Sequence, residues 1–285
     1  MGTAVCTVIP TFRPDNNLLE LLSRIASPAT PVLVVDDGSP CTSDMLLREV
    51  STLNSVRVQR HRTNRGIARG LNAGLEEAYL SGSTWLLTID QDSHVDSHYV
   101  AELLATAHQQ TRSGINIGAL GAEVVNDTSG QMRYPLTGDG AFARTEELIQ
   151  TGTLWNVEAL RRAGGFEERL GMDAVDAAAC LELRSLGYEI GVSRGLTLQH
   201  SIGKARQVLV GGRSIMITGH SPERRASMMR NRLMLFPREF RQSPKHAVRT
   251  LRRVLVNQSL GLLVENDRWA KTKGTLRGLS ASGKR

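Results

Sequence analysis

Over its first 125 residues the chain alternates between short apolar, β-branched runs and longer segments whose apolar residues recur at helical spacing. Ala4–Ile9, Pro31–Asp36, Val56–Gln59, Thr84–Ile89 and Ile117–Val124 predict strands. Near-continuous apolar runs bounded by turn residues suit strands that are buried on both faces. Between them, Asn16–Ala26, Thr42–Val50, Gly66–Leu80 and Asp96–Arg112 predict helices. In the third of these, Ile67, Leu71, Gly74, Leu75 and Ala78 fall on one face. Strand–helix alternation with short connections predicts a largely parallel, doubly wound α/β sheet flanked by helices. In such sheets ligands collect at the carboxyl ends of the strands, near the change in strand order.

After Asn126 the pattern loosens into Asp127–Gly140, a Gly-, Thr- and Asp-containing stretch that predicts a loop or short hairpin. Helices are predicted at Val157–Ala163 and around Asp176–Leu186, and beyond Ser221 from Pro222 to about Phe236 and from Lys245 to Leu263. Ser280–Arg285 is expected to fray. The division expected is an α/β domain over residues 1–220 and a basic helical extension over 221–285.

Charge sharpens that division. Residues 221–285 hold 16 Lys/Arg against 4 Asp/Glu, a net of +12, whereas residues 1–220 hold 19 against 24, a net of −5. A weakly acidic body with a basic tail suits a phosphate-bearing partner or an anionic surface, although a solvated basic helix would look the same. Aromatic residues are scarce in the tail, which argues against stacking on nucleic acid. No run of about 18 apolar residues occurs, so no membrane-spanning helix is expected. The opening Met1–Val5 passes into a strand-like run without a basic and then apolar leader, so no secretory signal is expected. Cys6, Cys41 and Cys180 are far apart in sequence and read as reduced thiols of a cytoplasmic protein.

The chemistry-bearing residues fall where strands finish. Leu86-Leu87-Thr88-Ile89-Asp90-Gln91-Asp92-Ser93 runs an apolar strand straight into two carboxylates one residue apart. Hard divalent ions take oxygen ligands and keep substrate phosphates in their shell, so this D-x-D could hold a metal that bridges a diphosphate. The same residues could instead cap the next helix. A second acidic strand end is Val34-Val35-Asp36-Asp37-Gly38-Ser39. One carboxylate there could accept from a base or a ribose hydroxyl, and turn chemistry is the alternative. Asn64-Arg65-Gly66-Ile67-Ala68 opens a helix, where a basic residue and N–H groups suit a phosphate or nucleotide edge. Asp173 and Asp176 flank a helix start in a Gly-rich region, and either could cap that helix or act as a general base. His200 could offer a neutral imidazole to a metal, or be structural. No GxGxxG, Walker A or nucleophile-elbow motif occurs.

Taken in order, these pieces resemble the family 2 glycosyltransferases of GT-A fold, and among them the bacterial rhamnosyltransferase branch. The resemblance rests on Val8-Ile9-Pro10-Thr11-Phe12, the Asp36-Asp37-Gly38-Ser39 strand end, Asn64-Arg65-Gly66-Ile67-Ala68 and Asp90-Gln91-Asp92-Ser93. It continues through Thr151-Gly152-Thr153-Leu154, Gly164-Gly165-Phe166, Asp173-Ala174-Val175-Asp176, His200-Ser201-Ile202-Gly203, His220-Ser221-Pro222-Glu223-Arg224 and Arg230-Asn231.

The resemblance implies that Asp36 contacts the nucleoside, that Thr11 lines the same pocket, and that Asp90 lies near the ribose and diphosphate. Asp92 would be the principal ligand of Mg²⁺ or Mn²⁺, His200 would join it, and Asp176 would be the catalytic base. An inverting transfer follows, from a nucleotide-diphosphate sugar (dTDP-rhamnose is the leading donor) to a glycan or lipid-linked acceptor. The basic tail would then lie against the inner face of the cell membrane. One departure matters. The family commonly reads Asp-Thr-Glu-Trp-Cys after the base, whereas this chain reads Asp176-Ala177-Ala178-Ala179-Cys180. Two rival readings stand beside transfer: a weak or inactive sugar-nucleotide-binding relative, favoured by that departure, and a nucleotidyltransferase, which would also use an acidic metal site.

Overall fold

The computed structural model describes residues 5–126, 134–200, 206–210, 213–217, 219–264 and 267–281. The chain forms two compact units. One gathers the described residues of 1–125, 132–171 and 175–199; the other gathers those of 126–131, 172–174 and 200–285.

The first unit is built on an eight-stranded sheet: β1 (Val5–Thr11), β2 (Val32–Asp36), β3 (Val56–Arg60), β4 (Trp85–Thr88), β5 (Ile117–Asn126), β6 (Phe142–Arg144), β7 (Thr153–Asn156) and β8 (Glu189–His200). Their order is β3-β2-β1-β4-β7-β5-β8-β6. β1 pairs parallel with both β2 and β4, and β2 pairs parallel with β3. The chain therefore steps outward from β1 to β3 and returns to β4 on the other side. That reversal, between β1 and β4, is the switch point at which open α/β sheets bind ligands. Beyond β4 the sheet continues through antiparallel pairing with β7. All residues of β1, β2 and β4 are buried, which explains their near-continuous apolar sequence.

The helices are α1 (Asn17–Ile25), α2 (Asp44–Val50), α3 (Ile67–Leu80), α4 (Ser97–Arg112), α5 (Val157–Arg162) and α6 (Val175–Ser185). α3 lies against β1, and Gly74 makes that approach possible: a Cβ there would fall 2.4 Å from Val8 Cβ. Trp155 and Phe166, both buried, meet edge to face at 5.2 Å in the core. Cys6, Cys41 and Cys180 are free thiols, and burial pushes the first and last up to about 12.

The five predicted strands and the helices up to α6 correspond to β1–β5 and α1–α6, while β6, β7 and β8 have no counterpart in the sequence reading. β7 is only four residues, beginning with Thr153 and ending with Asn156. In β8, Gly191, Ser193, Arg194 and Gly195 break the alternation that would mark a strand. The predicted loop at Asp127–Gly140 lies outside the described residues up to 133.

The second unit carries a hairpin, β9 (Arg206–Val210) with β10 (Arg213–Ile217), and three helices, α7 (Pro222–Gln242), α8 (Pro244–Val264) and α9 (Arg268–Ala281). Ser221 caps α7 by accepting the Arg224 N–H at 3.2 Å, and Pro222 fills the first turn. The sequence predicts that α7 ends near Phe236, but it runs through Pro237 to Gln242. Packing outweighs the proline: a buried Arg232–Glu239 ion pair at 2.6 Å spans that point, and Thr250 of α8 donates to Glu239 at 3.5 Å. Gln258 of α8 donates to the Arg225 carbonyl at 3.1 Å and accepts from Thr275 of α9 at 2.7 Å.

α9 has no counterpart in the sequence reading, and Gly274 and Gly278 lower its local helix propensity. They are also the contact. A Cβ at Gly274 would meet the Pro222 carbonyl at 2.3 Å, and one at Gly278 the Ala226 carbonyl at 2.4 Å, both on α7.

Gly74→Ala distinguishes packing from propensity. Helix propensity alone would stabilise the variant by about 1 kcal/mol, whereas overpacking against Val8 costs about 1–3 kcal/mol. We expect net destabilisation in urea unfolding; a midpoint at or above wild type would show that α3 does not need the glycine.

Candidate active site

β2 ends in two carboxylates that are satisfied differently. Asp36 has no exposed surface. It accepts from Arg60 Nε at 2.9 Å and from the Ser39 N–H at 3.3 Å, so its oxygens face Ser39 and Arg60 rather than solvent. Arg60 also donates to Asp44 at 2.7 Å and to the Ser39 carbonyl at 3.1 Å. These bonds, Asp44 foremost, raise the already high pKa of the guanidinium. Asp37 is buried as well, and it accepts the N–H groups of Arg65 (3.0 and 3.1 Å) and Gly66 (2.8 Å), with His61 Nδ1 at 3.3 Å. The N–H groups at the start of α3 are thus taken by an internal carboxylate. What Arg65 presents outward is its exposed side chain.

This anchorage depends on glycine. Gly38 has φ +75° and Gly66 φ +92°, and a Cβ on either would meet backbone at 2.6 Å, of Thr63 and Gly171 respectively. Ala68 N–H donates to the Gly171 carbonyl at 3.3 Å, tying α3 to the loop that precedes α6.

Asp90 and Asp92 leave the end of β4, next to β1. Asp90 is half-buried and is braced from three sides. Gln150 Nε2 donates to Asp90 Oδ1, the Asp90 N–H donates to Thr151 Oγ1 at 2.9 Å, and Ser93 N–H donates to the Asp90 carbonyl at 3.0 Å. Thr151 and Ser93 hydroxyls are themselves 2.7 Å apart. Gln91 turns the other way: its Oε1 accepts the Phe12 N–H at 2.9 Å and so ties the exit of β1 to the D-Q-D turn. Asp92 is exposed. The turn that presents Gln150 is fixed to β4 by Thr88, which donates to the Gln150 carbonyl and accepts from Trp155 Nε1 at 2.9 Å.

Two buried side-chain atoms here lack a partner among the described residues: Thr11 Oγ1, at the end of β1, and Gln150 Oε1. An unsatisfied buried hydroxyl or amide costs about 1–3 kcal/mol. Atoms of this kind at a strand end are what a polar ligand would satisfy. Gln150 is the residue the sequence reading missed; only its place just ahead of Thr151-Gly152-Thr153 could have drawn attention to it.

Asp176 stands in the first turn of α6, half-buried, with Oδ1 accepting the Ala177 N–H at 2.8 Å. Asp173, the other candidate base, is engaged within the second unit, where Arg224 Nε donates to its carboxylate at 3.3 Å and Asn231 donates to its carbonyl at 2.7 Å. His200 closes β8, and its side chain lies outside the described residues. The structure therefore brings Thr11, Asp36, Asp90 and Asp92 to adjoining strand ends, links Arg65 to β2 through Asp37, and sets Asp176 at a helix start.

Among the described residues no group of three or more His, Cys, Asp and Glu is gathered as in an all-protein metal cage. Mg²⁺ and ions like it are commonly held by one or two carboxylates plus substrate phosphates. An exposed Asp92 beside a braced Asp90 fits that type of ion in both donor chemistry and number.

Gln150→Leu removes the bond to Asp90 at nearly constant volume. A hydrogen bond to a charged group is worth about 1.5 kcal/mol or more, so Mn²⁺-supported binding of a nucleoside diphosphate should weaken about tenfold. Unchanged affinity in calorimetry would show that Gln150 does not set the Asp90 carboxylate.

Comparison with known proteins agrees with this architecture. The chain is 24% identical over 250 residues to a dTDP-rhamnosyl transferase, RfbF, of Shigella flexneri, covering 82% of this chain and 80% of that one. Among solved structures, S. aureus TarS (residues 1–349) in complex with UDP-GlcNAc superposes with a TM-score of 0.62 at 15% identity, over 96% of this chain and 79% of that one. The mannosyltransferase PcManGT from Pyrobaculum calidifontis, in complex with GDP-Man and Mn²⁺, gives 0.59 at 16% identity, over 98% and 81%. These likenesses show a GT-A fold. The sequence model described as glycosyl transferase family 2 matches residues 6–168, from β1 to the segment before α6, and the chain belongs to that family.

Proposed function

We propose that this glycosyltransferase is inverting and metal-assisted, and that it moves L-rhamnose from dTDP-rhamnose to an acceptor hydroxyl of a cell-surface glycan or glycolipid precursor. The observation that carries the reading is the D-Q-D turn at the β1/β4 switch point, with Asp90 braced by Gln150 and Thr151 and Asp92 left exposed. The choice of rhamnose draws on the Shigella relative, and the metal on the Mn²⁺ bound by the mannosyltransferase neighbour.

In this reading Thr11 and Asp36 floor the nucleoside pocket. The unpartnered Thr11 hydroxyl bonds the nucleoside, while Asp36 holds Ser39 and Arg60 in place. Arg65 offers its exposed guanidinium to the nucleotide, a charge-assisted contact of the kind phosphates favour. Asp90 faces the ribose and diphosphate. Asp92 and His200 would hold Mg²⁺ or Mn²⁺, which when bound neutralises charge on the departing diphosphate. Asp176 takes the proton from the acceptor hydroxyl as that oxygen attacks the anomeric carbon from the side opposite the leaving group, so configuration inverts. The basic helices of the second unit bring the enzyme to the anionic inner face of the cell membrane, where a lipid-linked acceptor would be presented.

A second reading has its own observation. Ala177, Ala178 and Ala179 are all buried in α6, so small core side chains stand where the family pattern has Thr, Glu and Trp. That favours a relative that binds sugar nucleotide but transfers weakly or not at all.

One experiment separates the two. Wild type and Asp176→Asn are assayed for transfer from dTDP-rhamnose to a lipid-linked acceptor, with donor affinity measured in parallel. A positioned base contributes about 10²–10⁴ in rate, so the variant should lose transfer by that order with donor affinity intact. Wild-type turnover by the variant would remove Asp176 from the role, and donor binding without transfer by wild type would favour the second reading.

A further inference from the structure

The second unit presents apolar side chains to solvent in a definite arrangement. On α8, Val248, Leu255 and Val256 are 43–51% exposed. At spacings of seven and eight residues they share one outward stripe with Lys245, Arg249 and Arg252, all exposed. The opposite face, with His246, Ala247, Thr250 and Gln258, is buried. On α9, Trp269 is 82% exposed and Leu276 56%. They align with exposed Lys273 between them and Arg277 beside them, while Gly274 and Gly278 face α7. α7 packs against both helices, so the two stripes are what α8 and α9 leave uncovered.

Charge decides the kind of partner. Residues 244–281 hold eight Lys/Arg against two Asp/Glu, a net of +6. A helix face that mixes Leu, Val and Trp with Lys and Arg, on a helix too polar to span, matches an anionic lipid surface: apolar groups enter the headgroup boundary and basic groups meet the lipid charge. Among the described residues no helix is long and apolar enough to cross a membrane. Tryptophan favours such an interface because its ring is apolar and its N–H is wet.

We infer that the outward stripes of α8 and α9 form a membrane-docking surface, with Trp269, Leu276, Leu255 and Val256 entering the headgroup region of an anionic bilayer. Lys245, Arg249, Arg252, Lys273 and Arg277 hold the lipid phosphates around them. This names the side chains that make the membrane contact in the proposed function. Vesicle binding needs neither donor nor acceptor, so its failure and a failure of transfer are distinguishable.

The test uses the full chain with vesicles of phosphatidylcholine alone or mixed with phosphatidylglycerol. Sedimentation should occur with the mixed vesicles, fall away at high salt, and be weak with phosphatidylcholine alone. Trp85 and Trp155 are buried, so a blue shift in tryptophan emission on binding reports Trp269. The double variant Trp269→Ala, Leu276→Ala should bind at least tenfold more weakly, and Lys273→Glu, Arg277→Glu should abolish the preference for anionic lipid. Both pairs are solvent-exposed, and retained helicity and melting temperature confirm the fold. Equal binding to both vesicle types, no emission shift, or wild-type binding by either variant would overturn the proposal. So would loss of self-association in the Trp269 variant without any vesicle binding, which would assign the stripe to a second copy of the chain.

Discussion

Two adjacent carboxylates at the end of β2 cannot both be buried unless each finds its own hydrogen-bond donors, and this end of the sheet is organised around that requirement. Asp36 takes the Arg60 guanidinium and the Ser39 amide; Asp37 takes the amides of Arg65 and Gly66. Each bond of a charged group to an N–H contributes about 1.5–3 kcal/mol, and leaving either carboxylate unpaired would cost more. The consequence is geometric. β3, through Arg60, and the start of α3, through Gly66, are pinned to the same strand end, with Gly38 and Gly66 supplying the backbone that lets them approach.

The D-Q-D turn is held by a separate set of bonds that reaches the same place. Gln91 couples it to the exit of β1, Gln150 and Thr151 couple it to the turn before β7, and Thr88 locks that turn to β4. The half of the sheet beyond β4 is therefore not only support, because it carries the amide that orients Asp90. Asp92, by contrast, has been left free of burial. One acidic residue is fixed and the other open, which suits one carboxylate that orients and one that coordinates.

Much of this was legible in the residues. Apolar runs ending in Asp36 and Asp90 placed two strand ends correctly, and helical spacing placed Gly74 on the packed face of α3. What escaped was encoded in partners distant in sequence. Gln150 gains meaning only because β7 pairs antiparallel with β4, and a lone glutamine after Ile149 carries no local signal. Nothing in the strand that ends at Asp36 reveals its partner Arg60, 24 residues on. Gly274 and Gly278 weaken the helical pattern of α9 locally, and only the proximity of α7 turns them into contacts. α7 runs on past Pro237 because the Arg232–Glu239 pair and Thr250 of α8 hold it there.

Membership in glycosyl transferase family 2 and the GT-A fold set the reaction class, and the switch-point geometry indicates where a donor would lie. The most direct measurement of the central claim is calorimetric titration of the full chain with dTDP-rhamnose, UDP-galactofuranose and UDP-glucose, each with and without Mn²⁺. The account predicts binding of dTDP-rhamnose that depends on Mn²⁺ and weaker binding of the other two. Failure of every donor to bind in the presence of Mn²⁺ would contradict it.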